Sequence, residues 1–468
     1  MSKLKEQREI KQASFGYALF VIIGFLVIAV GGTFLLNASI SAMFLVSYLF
    51  LVPAIMRLGY SFGDIWEAMT DSIKGGVYAL VILLSIGALI GSWIVAGTVP
   101  AILYWGMNII SAKFFMVTAF IICAIFSVIC GTSWGTLGTI GVALFGVGMS
   151  LGVPQGCVVG AIISGAYFGD MLSPLSDSPN IISGAVGVNL MDYIKKFAVI
   201  VAPAFVITVI VFLIMGFSSG VGGSTEAAVA ELQGVIAANF KIGFVAFLPI
   251  ILVIVLLILK VDSIMTILIS AVFSLILAPF YQGAAVGDLM SIFWNGYSIE
   301  SGSEMLDTLL NRGGALSMSD TCWMMLLAFG MVGACQKANI MSIIVAPIVK
   351  GISKFWQMTL VSQITSIIGN CMGVNNFALI MSGTILRPIY EEKNIDKVNL
   401  AIAVNGTGTV MNSLIPWNAG SIFCFGLYGV AVSQWAMYSI FSWVMPLTIL
   451  ALAFMGKYYK SSANTVEE

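Results

Sequence analysis

The chain has 468 residues, of which 60% are hydrophobic and only 9% are charged, with a formal net charge of −1. Soluble domains carry about 25% charged residues, so this composition predicts an integral membrane protein and excludes a soluble fold. Membrane lipid is therefore an expected partner, and the near-zero charge indicates no nucleic-acid partner. The chain has no histidine and no GxxxxGK[ST] run, which argues against an enzyme and against direct ATP drive.

A bilayer crossing needs about 20 mostly apolar residues, and ten segments of the chain fit this description. Shorter, glycine-rich apolar pieces lie between them and suit hairpins that enter the membrane and return. Together they predict an all-α polytopic membrane protein with roughly 10–13 transmembrane helices. The ten segments are Phe15–Leu36, Ser39–Met56, Val77–Gly97, Phe115–Cys130, Phe197–Phe217, Ile242–Leu259, Ser263–Phe280, Cys322–Cys335, Phe355–Gly369 and Trp435–Met455. The shorter pieces are Gly131–Gly152, Gln155–Gly169, Asn376–Leu386, Leu400–Ile415 and Ala419–Val432.

Basic residues predict the orientation, because cytoplasmic segments are enriched in Lys and Arg. The tails 1–14 and 457–468 both carry basic residues, whereas the loop 218–240 has two glutamates and no Lys or Arg. We therefore expect a multi-pass protein of the cell membrane with both termini in the cytoplasm and this loop outside. The loop separates a first transmembrane half, 15–217, from a second half, 241–456.

Two pairs of similar stretches indicate an internal repeat. The run CGTSWGTLGTIG (130–141) follows one apolar span, and GNCMGVNNFALIMSG (369–383) follows another about 240 residues later. The same offset places GAIISGAYFGDMLSPLSDS (160–178) over LAIAVNGTGTVMNSLIPWNAG (400–420). Paired segments interrupted by Gly or Pro are typical of transporters built from inverted repeats. The sequence thus predicts two inverted repeats with re-entrant hairpins and broken helices at the membrane midplane.

The stretch GAYFGDMLSPLSDSPN places Asp170 and Asp177 on either side of Pro174. An ionised Asp at the centre of a membrane helix costs about 2.5–3.5 kcal/mol on insertion scales, and such acids usually serve function. Pro174 predicts that the helix unwinds between the two aspartates. Carboxylates, serine hydroxyls and free carbonyls form a hard-oxygen site suited to an alkali cation. We predict a sodium site at Asp170 and Asp177; the alternative is that one of them caps a half-helix.

Three runs, GTSWGTLGTIG, GAYFGDMLSPLSDS and GTGTVMNSLIPWN, resemble the NhaC-type sodium/proton antiporters. That family includes malate/lactate antiporters and belongs to the wider ion-transporter superfamily. The resemblance covers the core of both halves and implies a sodium-coupled carrier, with Asp170, Ser173, Asp177 and the stretch 132–136 near the ion path. Family members usually carry an acid just before the late Gly-Thr, where this chain has Asn405.

The missing acid leaves room for a neutral or zwitterionic solute beside the ions. We expect a sodium/proton antiporter driven by ion gradients, with sodium and protons as transported ions and no cofactor. The alternatives are a sodium-coupled carrier of an organic acid or amino acid, and an ion channel; a homodimer is left open. The residues expected to contact ions or solute are Asp170, Ser173, Asp177, Ser178, Thr132, Ser133, Asn375, Asn376, Asn405, Thr407, Thr409 and Asn412.

Overall fold

The computed structural model describes residues 10–36, 38, 40–218, 226–345, 347 and 354–456. All the regular elements of these residues are helices, which confirms the predicted all-α class. Residues 1–9 of the N-terminal tail and the whole C-terminal tail, 457–468, lie outside the described residues. The basic residues on which the predicted orientation of the termini rests, Lys11 excepted, are therefore not described.

The helices fall into two series joined by a short middle section. The first series is α1 (Phe15–Leu26), α2 (Gly32–Leu36), α3 (Ile40–Met56), α4 (Phe62–Val95), α5 (Thr98–Ile109), α6 (Phe115–Cys130), α7 (Ser133–Thr136), α8 (Val142–Ser150), α9 (Gln155–Leu172), α10 (Asp177–Val186) and α11 (Leu190–Ser218). The middle section is α12 (Glu226–Asn239) and α13 (Leu248–Ile258). The second series is α14 (Ser263–Tyr281), α15 (Leu289–Asn295), α16 (Glu304–Leu310), α17 (Ser319–Lys337), α18 (Ile340–Val345), α19 (Phe355–Asn370), α20 (Asn375–Glu392), α21 (Lys397–Met411), α22 (Ala419–Tyr428), α23 (Val432–Trp435) and α24 (Ile440–Phe454).

Several of these helices have the length and composition of membrane spans. Three helix pairs pass the same test but bend sharply at a short break, and three shorter helices are also apolar. The described residues thus contain five candidate spans, or up to eight if each bent pair is one span, apart from the three shorter helices. The straight spans are Phe62–Val95, Ala112–Cys130, Leu190–Phe217, Ser263–Tyr281 and Ala315–Lys337. The bent pairs are Gln155–Leu172 with Asp177–Val186, Val229–Asn239 with Phe244–Ile258, and Ala419–Tyr428 with Val432–Tyr438. The short helices are Phe15–Ala29, Ser41–Met56 and Ile440–Phe454.

The helix starts reveal the repeat. Helices α7, α9 and α10 begin at Ser133, Gln155 and Asp177. Their counterparts α20, α21 and α22 begin at Asn375, Lys397 and Ala419, in each case 242 residues later. Each half therefore consists of a hairpin, a helix that breaks, and a half-helix of ten residues.

Left-handed backbone positions repeat at the same spacing. Gly131 follows α6 and has a φ angle of 68°. Gly373 lies in the turn after α19 and has a φ angle of 92°. Gly187 and Gly429 end the two half-helices with φ angles of 73° and 68°. Such conformations strain residues that have a Cβ atom, so glycine is favoured there. Two backbone features that depend on glycine thus recur 242 residues apart, which supports a structural repeat.

The order of the helices between the two hairpins bears on the predicted inversion of the repeats. Helices α6 to α8 form one hairpin, and α19 and α20 form the other. Between them lie the bent pair α9–α10 and the helices α11, α13, α14 and α17, each of which is a candidate span or part of one by length and composition. If each of these five segments crosses the bilayer once, the two hairpins enter it from opposite faces, as inverted repeats require.

Close helix contacts hold the first hairpin against the broken helix. A Cβ atom built on Gly165 of α9 would lie 2.3 Å from the Phe120 carbonyl oxygen of α6. One built on Gly169 would lie 2.3 Å from the Ala124 carbonyl oxygen, one turn further along. Glycines at this spacing let membrane helices approach each other closely. The position of the broken helix therefore depends on the absence of side chains at these two sites.

We expect Gly165→Val to lower the free energy of unfolding by about 1–3 kcal/mol, because its side chain would push α9 away from α6. Thermal unfolding of the purified protein in detergent measures the loss. The matched control is Gly184→Val on α10, since no atom lies within 4 Å of a Cβ built there. Equal melting temperatures for the two variants would contradict close packing at Gly165.

Candidate ion and substrate site

Both hairpin turns and both helix breaks meet at one cavity of about 180 Å³. The turn after α6 contributes Thr132 and Ser133, and the turn after α19 contributes Val374 and Asn375. Helix α4 closes one side, where Gly76 lies against the wall. The cavity therefore lies where the two repeats come together.

The first break begins where α9 ends at Leu172, and the helix axis turns by 46° before α10 starts at Asp177. Pro174 lies in the four-residue interruption, as predicted. Ser176 caps α10, since its hydroxyl oxygen accepts a hydrogen bond from the Ser178 amide at 3.3 Å. Neither aspartate is the N-cap of α10, because Asp177 is the first helical residue and Ser176 fills the cap position. The Asp170 carboxylate instead accepts the Ser133 amide at the start of α7.

The second break has the same construction with different residues. Helix α21 ends at Met411, and Pro416 precedes the start of α22 at Ala419. Asn418 caps α22 by accepting a hydrogen bond from the Gly420 amide at 3.0 Å. Its side-chain amide also donates to the Asn370 carbonyl oxygen at 2.8 Å. The cap thereby ties the second half-helix to the end of α19.

Asp170 joins the first hairpin to the first half-helix. Its side chain is buried, and one carboxylate oxygen accepts a hydrogen bond from the Ser133 backbone amide at 2.9 Å. The other oxygen accepts from the Ser178 hydroxyl at 2.8 Å. Burial of a charge is costly unless it is paired or hydrogen-bonded. These two donors stabilise the charged carboxylate. Because one donor belongs to the hairpin and the other to α10, the carboxylate also joins these two elements.

Asp177 has a different environment from Asp170. It is an exposed residue in the first turn of α10 and lines the cavity. Its carboxylate accepts no hydrogen bond and forms no ion pair within the part of the chain that the structure describes. Asp177 therefore presents an open carboxylate to an ion, and the N-terminal position on α10 favours its negative charge.

A chain of hydrogen bonds runs from the cavity wall to α11. The Asn375 side-chain amide donates to the Thr409 hydroxyl at 3.1 Å, and that hydroxyl donates to the Asn405 side-chain oxygen at 2.6 Å. Asn405 in turn donates to the Tyr193 hydroxyl at 2.8 Å. The Asn375 side-chain oxygen is buried without a partner. Asn405 thus lies behind the wall and positions Thr409.

The structure brings most of the predicted site residues to the cavity. Three of them are elsewhere: the Ser173 hydroxyl donates to the Val128 carbonyl oxygen at 2.9 Å, and Asn405 and Thr407 are buried outside the wall. The roles of all these residues in binding stay predictions. Those that line the cavity are Thr132, Ser133, Asp170, Asp177, Ser178, Asn375, Asn376, Thr409 and Asn412.

Asn412 occupies the place in the second repeat that Asp170 occupies in the first. The two residues are 242 positions apart, and so are Pro174 and Pro416 at the two breaks. The sequence drew attention to Asn405 through the Gly-Thr pair that follows it. The backbone shows instead that Asn412 is the second-half residue at the break, where it lines the cavity.

Sequence reasoning missed two parts of the wall. Tyr167 of α9 donates a hydrogen bond from its hydroxyl to the Asn412 side-chain oxygen at 2.8 Å and so links the two breaks. Helix α4 contributes Gly75, Gly76 and Tyr78, although it precedes the first hairpin. The pair of glycines inside an apolar helix was a signal for close approach of another element.

The charges of the wall favour a cation. Asp170 and Asp177 are its ionisable acids, and none of the wall residues that the structure describes is Lys or Arg. The cavity opens beside Gly75, Tyr78 and Asp177, which are exposed. Trp134, another wall residue, stacks on Phe423 with ring centroids 4.4 Å apart.

Comparisons with known proteins agree with this architecture. Residues 165–457 match the profile of the Na⁺/H⁺ antiporter family. The chain is 33% identical over 454 residues to the malate-2H(+)/Na(+)-lactate antiporter of Bacillus subtilis, covering 96% of this chain and 97% of that protein. It is 31% identical to the Na(+)/H(+) antiporter NhaC of Alkalihalophilus pseudofirmus, covering 95% and 96%. It is 28% identical to the arginine/ornithine antiporter ArcD of Halobacterium salinarum, covering 98% and 96%.

The match to the family profile begins within α9 of the first repeat and continues through the second repeat, so it includes both breaks. The full-length similarity extends over the remaining helices of the first repeat. The chain is therefore a transporter and not an enzyme, and it belongs to the Na⁺/H⁺ antiporter family.

Proposed function

We propose that this protein exchanges sodium for protons, with Asp170 and Asp177 as the groups that bind both cations. The observation that carries the proposal is the position of Asp170, whose buried carboxylate connects a hairpin turn to a half-helix at the meeting point of the repeats. Acids at such a position in a membrane protein typically belong to an ion pathway. The names of the NhaC relatives agree with this assignment.

Competition for one carboxylate accounts for exchange. A carboxylate binds either a proton or a sodium ion, so arrival of one releases the other. A bound cation neutralises the site, whereas an empty, charged site would carry an uncompensated carboxylate through the apolar interior at a high cost. The repeats can therefore rearrange around the cavity mainly when a cation is bound, which couples the two fluxes.

A second candidate is a sodium-coupled carrier of an organic acid or amino acid. The cavity, at about 180 Å³, is several times larger than the ~30 Å³ that one water molecule takes in the liquid. Its second-half wall consists of amide and hydroxyl groups, which suit hydrogen bonds to a solute. Two relatives are named for organic substrates, malate with lactate and arginine with ornithine.

The proposed location is the cell membrane, with both termini in the cytoplasm. Lys195 and Lys196 at the start of α11, Lys260 after α13 and Lys397 at the start of α21 would then all lie on the cytoplasmic side. This placement agrees with the enrichment of basic residues in cytoplasmic segments. The cavity of this structure would then open toward the cytoplasm, because its mouth lies at the N-terminal part of α4.

We expect Asp177→Asn and Asp170→Asn each to reduce sodium-driven proton flux by at least tenfold, because each removes a carboxylate from the cavity. Proteoliposomes that contain the pH dye pyranine report the flux when sodium is added outside. The matched control is Asp192→Asn, which makes the same chemical change at an exposed position of α11 outside the cavity. Flux at the control level in both cavity variants would remove the two aspartates from the ion site.

Cysteine labelling tests the extent of the cavity. In a background that lacks the seven native cysteines, we expect Asn376→Cys to react with a water-soluble maleimide, because Asn376 is exposed on the wall. Thr407→Cys should not react, since Thr407 is fully buried outside the wall. Similar labelling rates at the two positions would show that the wall is wrongly assigned.

The orientation has its own test in the same cysteine-free background. We expect Glu300→Cys, between α15 and α16, to react with an impermeant maleimide added to intact cells. Glu392→Cys, at the end of α20, should react only after the cells are opened. Both positions are exposed, so access to the reagent decides the result. The reverse pattern would invert the proposed orientation.

A further inference from the structure

The first repeat shows how a helix start in this cavity can hold a carboxylate. At the N-terminus of α7, the Thr132 hydroxyl accepts a hydrogen bond from the Gly135 amide at 3.3 Å. The Ser133 amide donates to the Asp170 carboxylate at 2.9 Å. Helix N-termini favour anions because their first amides lack partners within the helix and carry partial positive charge. Asp170 thus serves as a bound carboxylate supplied by the chain itself.

The equivalent helix start in the second repeat is open. The cap position of α20 is Val374, which has no hydroxyl group and makes no side-chain cap. Asn412 stands where the first repeat has Asp170. The backbone amides of Asn375 and Asn376 have no acceptor among the described residues, and both residues line the cavity. This 18-residue helix therefore directs unpaired donors at the place that a carboxylate fills in the other repeat.

Asn412 supplies a second, independent donor to the same cavity. Its side chain is 3% exposed and lines the cavity. Its oxygen accepts from Tyr167, which fixes the direction of the amide and leaves the NH₂ group without an acceptor among the described residues. Buried polar groups nearly always have hydrogen-bond partners. This NH₂ group is therefore a donor that water or a ligand in the cavity can accept.

The charge of the rest of the wall defines the ligand further. A solute with a carboxylate alone would lie in a cavity that contains Asp170 and Asp177 and no Lys or Arg among its described wall residues. A solute that also carries an ammonium group would offer each part of the wall its complement. The positive group would pair with the aspartates, and the negative group would meet the helix start.

We propose that the N-terminus of α20 and Asn412 form a carboxylate subsite for a zwitterionic, amino-acid-type solute whose ammonium group faces Asp170. This proposal rests on the proposed function, since the ammonium group uses the site assigned there to sodium and protons. It adds a specific ligand chemistry and assigns each end of the solute to one repeat. Exchange of such a solute for sodium or protons would then follow from competition at Asp170.

Ligand pairs test the subsite on the wild-type protein. The purified protein is heated in detergent with one neutral amino acid at a time, in a series of increasing side-chain size from glycine to L-leucine. We expect at least one of them to raise the melting temperature. Its amide, which lacks the carboxylate, and its 2-hydroxy acid, which lacks the ammonium, should have no effect at the same concentration. Equal stabilisation by an amino acid and its amide would overturn the carboxylate subsite, and equal stabilisation by the hydroxy acid would overturn the zwitterion.

Two variants test the place of binding. Asn412→Asp copies the first repeat, so its carboxylate should accept the Asn375 amide and occupy the subsite; we expect at least a tenfold loss of affinity for the stabilising amino acid. Asn412→Leu removes the donor without adding a carboxylate and should cause a smaller loss of affinity.

Val374→Thr, which copies Thr132 at nearly constant size, should also weaken binding. It replaces Asn412→Asp in the test if that variant fails to fold. Wild-type affinity in Asn412→Asp, or in Val374→Thr where that variant replaces it, would overturn the subsite.

The proposal and the proposed function can fail separately. Sodium-driven proton flux without stabilisation by any amino acid in the series would refute the subsite and leave the exchange of sodium for protons intact. Stabilisation that depends on the carboxylate, without any sodium-driven proton flux, would support the subsite and refute that exchange. The same protein preparation serves for both measurements.

Discussion

Two interrupted helices place main-chain donors and acceptors inside the membrane, where no lipid group can satisfy them. The structure meets this constraint with short polar side chains. Ser176 and Asn418 cap the half-helices, Asp170 accepts the Ser133 amide, and Ser173 donates to the Val128 carbonyl oxygen. The Asn375 and Asn376 amides, which have no acceptor among the described residues, belong to residues that line the cavity. A binding site for polar ligands is therefore a direct result of where the helices break.

The repeats share a backbone but differ in chemistry. Positive φ angles, cap positions and prolines recur at a spacing of 242 residues, because the turns and breaks need them in both halves. Asp170 and Asn412 occupy equivalent places and are not alike. A carboxylate at position 412 would add a third negative charge to a cavity that already contains Asp170 and Asp177, and like charges in one site repel each other. One acidic and one amide side instead give the cavity a polarity, so a ligand with two different ends can be oriented within it.

Sequence reasoning succeeded where a local rule applies. Pro174 predicted the first break, and glycine-rich runs predicted both hairpins, because these residues constrain the backbone next to them. The distance of Asn405 from the cavity could not be predicted in this way: it lies behind the wall and bonds to Thr409, because the packing of distant helices decides which face of α21 lines the cavity. The contribution of Tyr78 on α4 also could not be read from the sequence. That contact joins segments about 100 residues apart and depends on tertiary packing.

The second-half wall connects the cavity to the rest of the protein. Asn375 stands at the start of α20, and its hydrogen bond to Thr409 continues through Asn405 to Tyr193 on α11. An ion pair of 2.9 Å between Lys196 and Asp396 joins α11 to α21 as well. A ligand that binds at the start of α20 acts on the first member of this series. Because α11 belongs to the first repeat and α20 to the second, binding at the start of α20 acts on the hydrogen bonds that connect the two repeats. The hydrogen bonds that shape the wall are therefore also contacts that a change between conformations would have to keep or break.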